Sequence, residues 1–154
     1  MRIDLNSDLG EAYGPWRMGD DAAMLDLVSS ANIACGGHAS DPDTMFATLR
    51  AAAARGVTIG AHPGYADREG FGRRVIAMQP DQIARMVASQ VGSLQGVAAL
   101  AGAELRYVKP HGALYNLASD DRAVADAIVS AVAALPGRLA MLAMPGSELA
   151  LAAE

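Results

Sequence analysis

Residues 57–64 read VTIGAHPG. Val57 to Ala61 is a short, almost wholly apolar run, the signature of a strand buried on both faces in a parallel sheet. His62-Pro63-Gly64 then breaks it with turn residues. On the N-terminal side, Asp41-Pro42 supplies a capping carboxylate and a proline suited to a first helical turn. Met45, Phe46, Leu49, Ala52 and Ala53 follow at helical spacing, and Gly56 ends that helix. On the C-terminal side, Pro80 starts the longest helix, with Ile83, Met86, Val87, Val91, Leu94 and Ala98 on one face and Gly102 as its stop.

The same alternation extends outward. Strands are expected at Arg2 to Asn6 (with Ile3 and Leu5 on one face), Ala31 to Cys35, Leu105 to Lys109 and Leu139 to Met144. Helices are expected at Asp20 to Ser29, after the Ser119-Asp120-Asp121 cap as far as Pro136-Gly137, and from Ser147 onward. Strand–helix alternation of this kind makes parallel βα units. The fold class is therefore α/β, either an open doubly wound sheet or a barrel-like arc. A full barrel takes about 250 residues, whereas about five strands are expected here. Residues 1–154 are accordingly read as a single βα domain, the N-terminal part of a longer barrel; a small, complete five-stranded sheet is the alternative.

Composition narrows the function. The chain carries a net charge of −5, which disfavours partners bound by phosphate neutralisation, so no nucleic acid is expected. Hydrophobic residues at 52% exclude bulk disorder. The one cysteine, Cys35, permits no intrachain disulfide and suits a reducing cytoplasm. MRIDLNSDLGE lacks the basic-then-apolar pattern of an export signal, and no run approaches the roughly 18 apolar residues of a membrane span. A cytoplasmic protein without membrane partners is expected.

The polar residues give the main functional clue. All three histidines follow expected strands: His38 after Cys35-Gly36-Gly37, His62 after Gly60-Ala61, and His111 after Lys109-Pro110. The first strand leads into Asn6-Ser7-Asp8-Leu9-Gly10-Glu11. In parallel α/β folds the carboxyl ends of the strands share one side, so these residues should meet at one mouth. Asp8, His38 and His62 form a candidate ligand set for a divalent metal. Without metal, the same groups can pass protons at neutral pH. Lys109 can stabilise an oxyanion. Residues 63–78 form a long polar loop of lid-like length. Within it, Arg73 and Arg74 can grip a carboxylate or phosphate. Asn6, Glu11, Asn32 and Tyr115 flank the site as substrate-binding candidates. Tyr13 and Trp16 are expected to pack the first loop, and Cys35 to be a small buried thiol. Neither GxxxxGK[ST] nor GxGxxG occurs.

Several segments together carry a specific resemblance: DLNSDLGE at 4–11, SANIACGGH at 30–38, GAHPGY at 60–65, GFGRR at 70–74, KPHGALYN at 109–116 and GSEL at 146–149. In this order they resemble the LamB/YcsF family. Family members often carry cysteine where this chain has Ser7, so that position is not an expected nucleophile. The resemblance implies a barrel-like βα fold of the glycoside hydrolase/deacetylase type. It also implies the A subunit of an ATP-dependent 5-oxoprolinase, a hydrolase that opens the cyclic amide of 5-oxoproline to glutamate. ATP is then a co-substrate shared with two further components of the enzyme, B and C. In that setting Asp8, His62 and His111 form the proton-transfer or metal core with His38, Lys109 faces developing negative charge, and Arg73 or Arg74 holds the substrate. A metal-dependent carbohydrate or amide deacetylase is the competing enzyme, and a non-catalytic scaffold the competing non-enzyme. Open sheet edges are association-prone, which leaves a homo-oligomer open.

Overall fold

The computed structural model describes residues 3–154. Five strands, β1 (Asn6–Leu9), β2 (Ser30–Ala34), β3 (Thr58–His62), β4 (Leu105–Val108) and β5 (Ala140–Met141), form one sheet. Their spatial order is β1-β2-β3-β4-β5, and every neighbouring pair is parallel. This order decides between the two expected architectures. A doubly wound sheet reverses its strand order at a switch point. Here each strand is added beside the last, and right-handed crossovers then carry every helix to the same face. The result is a sector of a barrel, with helices outside and polar side chains inside.

The outer layer comprises α1 (Asp21–Leu25), α2 (Pro42–Ala54), α3 (Pro80–Ala101), α4 (Gly112–Asp120), α5 (Arg122–Ala133) and α6 (Glu148–Ala153). The Asp41 side chain accepts from the Thr44 amide, as its position before Pro42 predicts. Asp121 likewise caps α5, and Gly102 closes α3 in the left-handed region, where a side chain would be strained. Helix α3 packs against both α2 and α5. Between helices and sheet lies one continuous core that includes Ile33, Leu49, Ile59, Val87, Val91, Leu94, Val108 and Ile128. Among the described residues no helix is long and apolar enough to cross a membrane.

The first strand departs from expectation. Of the stretch expected from Arg2 to Asn6, Arg2 lies outside the described residues, and the observed strand begins at Asn6. Ile3 and Leu5 are 80% and 53% exposed and do not enter the core. The register pairs Asn6 with Ser30 and Asp8 with Asn32, so hydrogen-bonding partners set the strand, not the apolar spacing. Helix α1 is also shorter than the expected Asp20 to Ser29, and β5 is only two residues long. Helix α4 was not expected at all. It starts at Gly112 directly after the strand-end turn, and its N-cap His111 makes no capping side-chain bond.

Candidate active site

The inner face of the sheet carries a continuous polar network. The Asn6 Nδ2 group donates to Ser30 Oγ at 2.7 Å and to Tyr107 Oη at 2.9 Å. Tyr107 donates in turn to Asn32 Oδ1 at 2.7 Å. The Asn32 Nδ2 group donates to Asn6 Oδ1 at 2.6 Å and to Asp8 Oδ1 at 2.7 Å. Lys109 Nζ, just beyond β4, also donates to Asp8 Oδ1 at 2.7 Å. One carboxylate oxygen thus ties β1 to β2 and to the end of β4. Burial works against the Asp8 charge, but the bonds and positive charge around it outweigh that effect. Its pKa is held well below the usual carboxylate range by His62, Lys109 and Asn32. Asp8 and Lys109 remain solvent-accessible, whereas Asn32 is fully buried. Asn32 therefore fixes Asp8 from beneath.

Behind Asp8 the three imidazoles meet. His62 Nε2 lies 3.3 Å from Asp8 Oδ2 and 3.0 Å from His111 Nδ1. The rings of His38 and His111 stack at 3.6 Å, and both stand edge-on to His62. Glu11 completes the group: its Oε1 accepts from His38 Nε2 at 3.0 Å and lies 3.7 Å from His111 Nδ1. Gly10, with φ +68°, turns the chain after β1 and brings Glu11 to this position. All three histidines are buried. Burial lowers the His38 and His111 pKa values, and the neighbouring imidazoles lower them further; His111 falls to about 4 and is neutral at physiological pH.

The backbone around the rings is shaped for close approach. A Cβ on Gly64 would stand 2.9 Å from His38 Nδ1, and one on Gly72 would stand 2.7 Å from His38 Cβ. Phe71 takes a φ of +53°, a costly conformation for a bulky residue. Its carbonyl thereby accepts from His111 Nε2 at 2.8 Å. From the outer layer, Gln90 on α3 clamps Gly64, donating to its carbonyl at 2.7 Å and accepting from its amide at 3.1 Å.

Beside Glu11 and His38 opens a cleft of about 400 Å³, also lined by Tyr13, Trp16, Arg68 and Phe71. Tyr13 and Trp16 stack on each other with centroids 6.1 Å apart, so they pack the first loop and also wall the cleft. Arg68 lies 3.8 Å over the Tyr13 ring and donates to the Gly36 carbonyl at 3.0 Å.

The structure thus brings together Asp8, Glu11, His38, His62, Lys109 and His111, with Asn6 and Asn32 beneath them. The structure gives several of the candidate residues other partners. Ligand atoms of Glu11, His38, His62 and His111 all lie within 4.8 Å of one another, a group that adds Glu11 to the three histidines and leaves Asp8 at its side. Asp8 Oδ1 accepts from Lys109 and Asn32, which leaves Oδ2 beside His62. Arg74 pairs with Asp67 and closes the 67–74 turn. Arg73 lies over Phe71 and lines a different cleft with Gly112 and Asn116. Tyr115 packs against the hydrophobic core. The sequence reading missed Arg68, Gln90 and Tyr107, whose roles depend on partners 26 or more residues away.

Known proteins share this arrangement of chain. The LamB/YcsF family profile matches residues 3–154. The A subunit of a 5-oxoprolinase from Methylococcus capsulatus is 55% identical over 99% of this chain and 58% of its own length. The A subunit of a 5-oxoprolinase from Nocardia farcinica is 55% identical over 99% of this chain and 61% of its own length. The crystal structure of a lactam utilization protein from Thermus thermophilus superposes with a TM-score of 0.96 at 44% identity, covering 99% of this chain and 62% of that one. The chain therefore spans less than two thirds of the length of these relatives. With a profile match across the described residues and the strand-end histidines in place, this chain belongs to the LamB/YcsF family.

Proposed function

We propose that this chain takes part in ATP-dependent opening of the 5-oxoproline ring, as the A component of a complex with two partners, the B and C subunits. It would supply the first five strands of a longer barrel and work in the cytoplasm, where the free thiol of Cys35 is stable. The observation that carries this proposal is the meeting of Asp8, Lys109 and three imidazoles at the strand ends of a chain more than half identical to proteins named for that activity. The names of these relatives also favour lactam opening over deacetylation.

The chemistry suits the residues. A five-membered lactam resists hydrolysis, and phosphoryl transfer from ATP to its carbonyl oxygen makes the ring carbon electrophilic. Attack by one water and cleavage of the C–N bond give an acyl phosphate; a second water then releases phosphate and glutamate. Asp8, ionised at neutral pH and open to solvent, accepts the proton of the attacking water. Lys109, whose ammonium bonds Asp8, faces the negative charge that develops on oxygen. His62 sits behind Asp8 and, with His111 and His38, forms the proton-transfer or metal core. Glu11 and Arg68 line the adjoining cleft, where the rest of the substrate is placed.

The test mixes the full-length protein with its partner subunits and follows glutamate release from 5-oxoproline with and without ATP. Glutamate formation should require ATP, and Asp8→Asn should lower kcat by about 100-fold or more while the complex still assembles. ATP-independent release, or wild-type turnover in Asp8→Asn, refutes the assignment.

A further inference from the structure

We propose that Glu11, His38, His62 and His111 form a binding site for one divalent transition-metal ion of the zinc and cobalt type. The central observation is a confrontation of lone pairs. His62 Nδ1 lies 2.6 Å from the Lys109 carbonyl, and His111 Nε2 lies 2.8 Å from the Phe71 carbonyl. A carbonyl oxygen only accepts, so both of these nitrogens must carry protons. In the neutral rings the opposite nitrogens, His62 Nε2 and His111 Nδ1, are then bare. Those two nitrogens face each other at 3.0 Å. Asp8 Oδ2, another acceptor, stands 3.3 Å from His62 Nε2, and Glu11 Oε1 stands 3.7 Å from His111 Nδ1. Four acceptors converge with no donor hydrogen between the two imidazoles, in a buried position where such repulsion is not screened by water.

A positive charge resolves this, either a proton on His62 Nε2 that bonds Asp8 or a metal ion that takes its place. Metal-bound histidines characteristically donate their second ring N–H to a carbonyl or carboxylate, which fixes the tautomer and aims the lone pair at the ion. His62 and His111 are both held in that way, by carbonyls from two different loops. Bonds of about 2.0–2.1 Å in a tetrahedral site place donor atoms roughly 3.4 Å apart. The observed separations of 3.0 Å between His62 and His111, 3.0 Å between Glu11 and His38, and 3.7 Å between Glu11 and His111 bracket that spacing. His38 Nδ1 has no partner, so only Glu11 sets its tautomer; once Glu11 turns to an ion, Nε2 is available as the fourth donor. Three imidazoles and one carboxylate suit a borderline transition ion, not magnesium or calcium, which prefer all-oxygen ligands. With the ion bound, the imidazole nitrogens are committed to it, and Asp8 is left as the proton acceptor beside it.

The proposal rests on the tautomers and not on the identity of the substrate, so it is tested without turnover. The chelator-treated full-length protein is titrated with Co²⁺ and followed by visible d–d absorbance, with melting temperature as a second readout. One saturable site is expected, with a higher melting temperature on binding, displacement by Zn²⁺ and no competition from Mg²⁺. Glu11→Gln and His111→Gln should each weaken binding by about 100-fold or more, whereas Asp8→Asn should stay within about tenfold of wild type. Glu11 lies at the cleft edge, so its isosteric change tests ligation even if His111→Gln does not fold. A wild-type protein with no saturable Co²⁺ absorbance up to about 1 mM overturns the proposal; a proton then bridges the rings, and histidine nitrogen NMR would show one as imidazolium. Binding lost in Asp8→Asn but retained in Glu11→Gln overturns the ligand set. Failure of lactam hydrolysis leaves every one of these readouts in place.

Discussion

Gly60→Ala is expected to destabilise the protein through a single side chain. The new methyl carbon would stand 2.2 Å from Tyr107 Cε2 and 2.4 Å from Tyr107 Cζ, so the ring must leave its place. Displacement strains the packing, at about 1–3 kcal/mol. It also breaks two hydrogen bonds of the phenol, to Asn6 and Asn32, at roughly 0.5–1.5 kcal/mol each. Replacing glycine by alanine within a strand returns about 0.5–1 kcal/mol. The net loss is about 3 kcal/mol, a large share of the roughly 5–15 kcal/mol that holds a domain folded. Urea unfolding followed by far-UV circular dichroism measures it; the sole tryptophan, Trp16, is 67% exposed and makes a poor fluorescence probe. In a Tyr107→Ala background the obstruction is gone, and the same substitution should cost less than about 0.5 kcal/mol. A loss below about 1 kcal/mol in the wild-type background, or an equal loss in both backgrounds, refutes the packing account.

Further outcomes follow from the buried titratable groups. The lowered His111 pKa means that the unfolded chain binds a proton near pH 6.5 while the native protein resists until about pH 4. Metal-free stability should therefore fall as pH drops through that window, by up to about 3 kcal/mol, with His38 acting in the same direction. Urea midpoints measured in chelator across the window check this, and a flat or rising profile contradicts it. Burial pushes the Cys35 thiol up to about 12. A thiol-specific disulfide reagent at mild alkaline pH should thus meet on the order of a thousandfold less thiolate than in a free cysteine, with full reactivity returning in denaturant. Rapid modification of the native protein would contradict this burial.

Local signals explain which parts of the fold could be read directly. Asp41-Pro42, Asp121 and Gly102 carry their helix boundaries in their own chemistry, and the structure places caps at all three. The three histidines beside glycine or proline marked strand ends, and parallel topology then required them to converge. The LamB/YcsF resemblance agrees with the family match. Other features depend on partners that spacing does not reveal. Helix α4 has no capping side chain and begins at a glycine, so nothing local announces it. Strand β1 takes its register from Asn6 and Asp8 reaching across to Ser30 and Asn32, against the cue of Ile3 and Leu5. Glu11 enters the imidazole cluster only because Gly10 turns the backbone, and Arg74 is claimed by Asp67 only once the 67–74 loop has closed.

The clamp from Gln90 to Gly64 gives the outside of the molecule a grip on its chemistry. Gly64 is packed against two of the three imidazoles, so any tilt of the long helix that carries Gln90 is transmitted to the rings through two hydrogen bonds and no flexible linker. Neighbouring helices on either side of that lever hold its angle. Substitutions along these helix seams, remote from every reacting atom, should therefore register as changes in turnover before they register as unfolding.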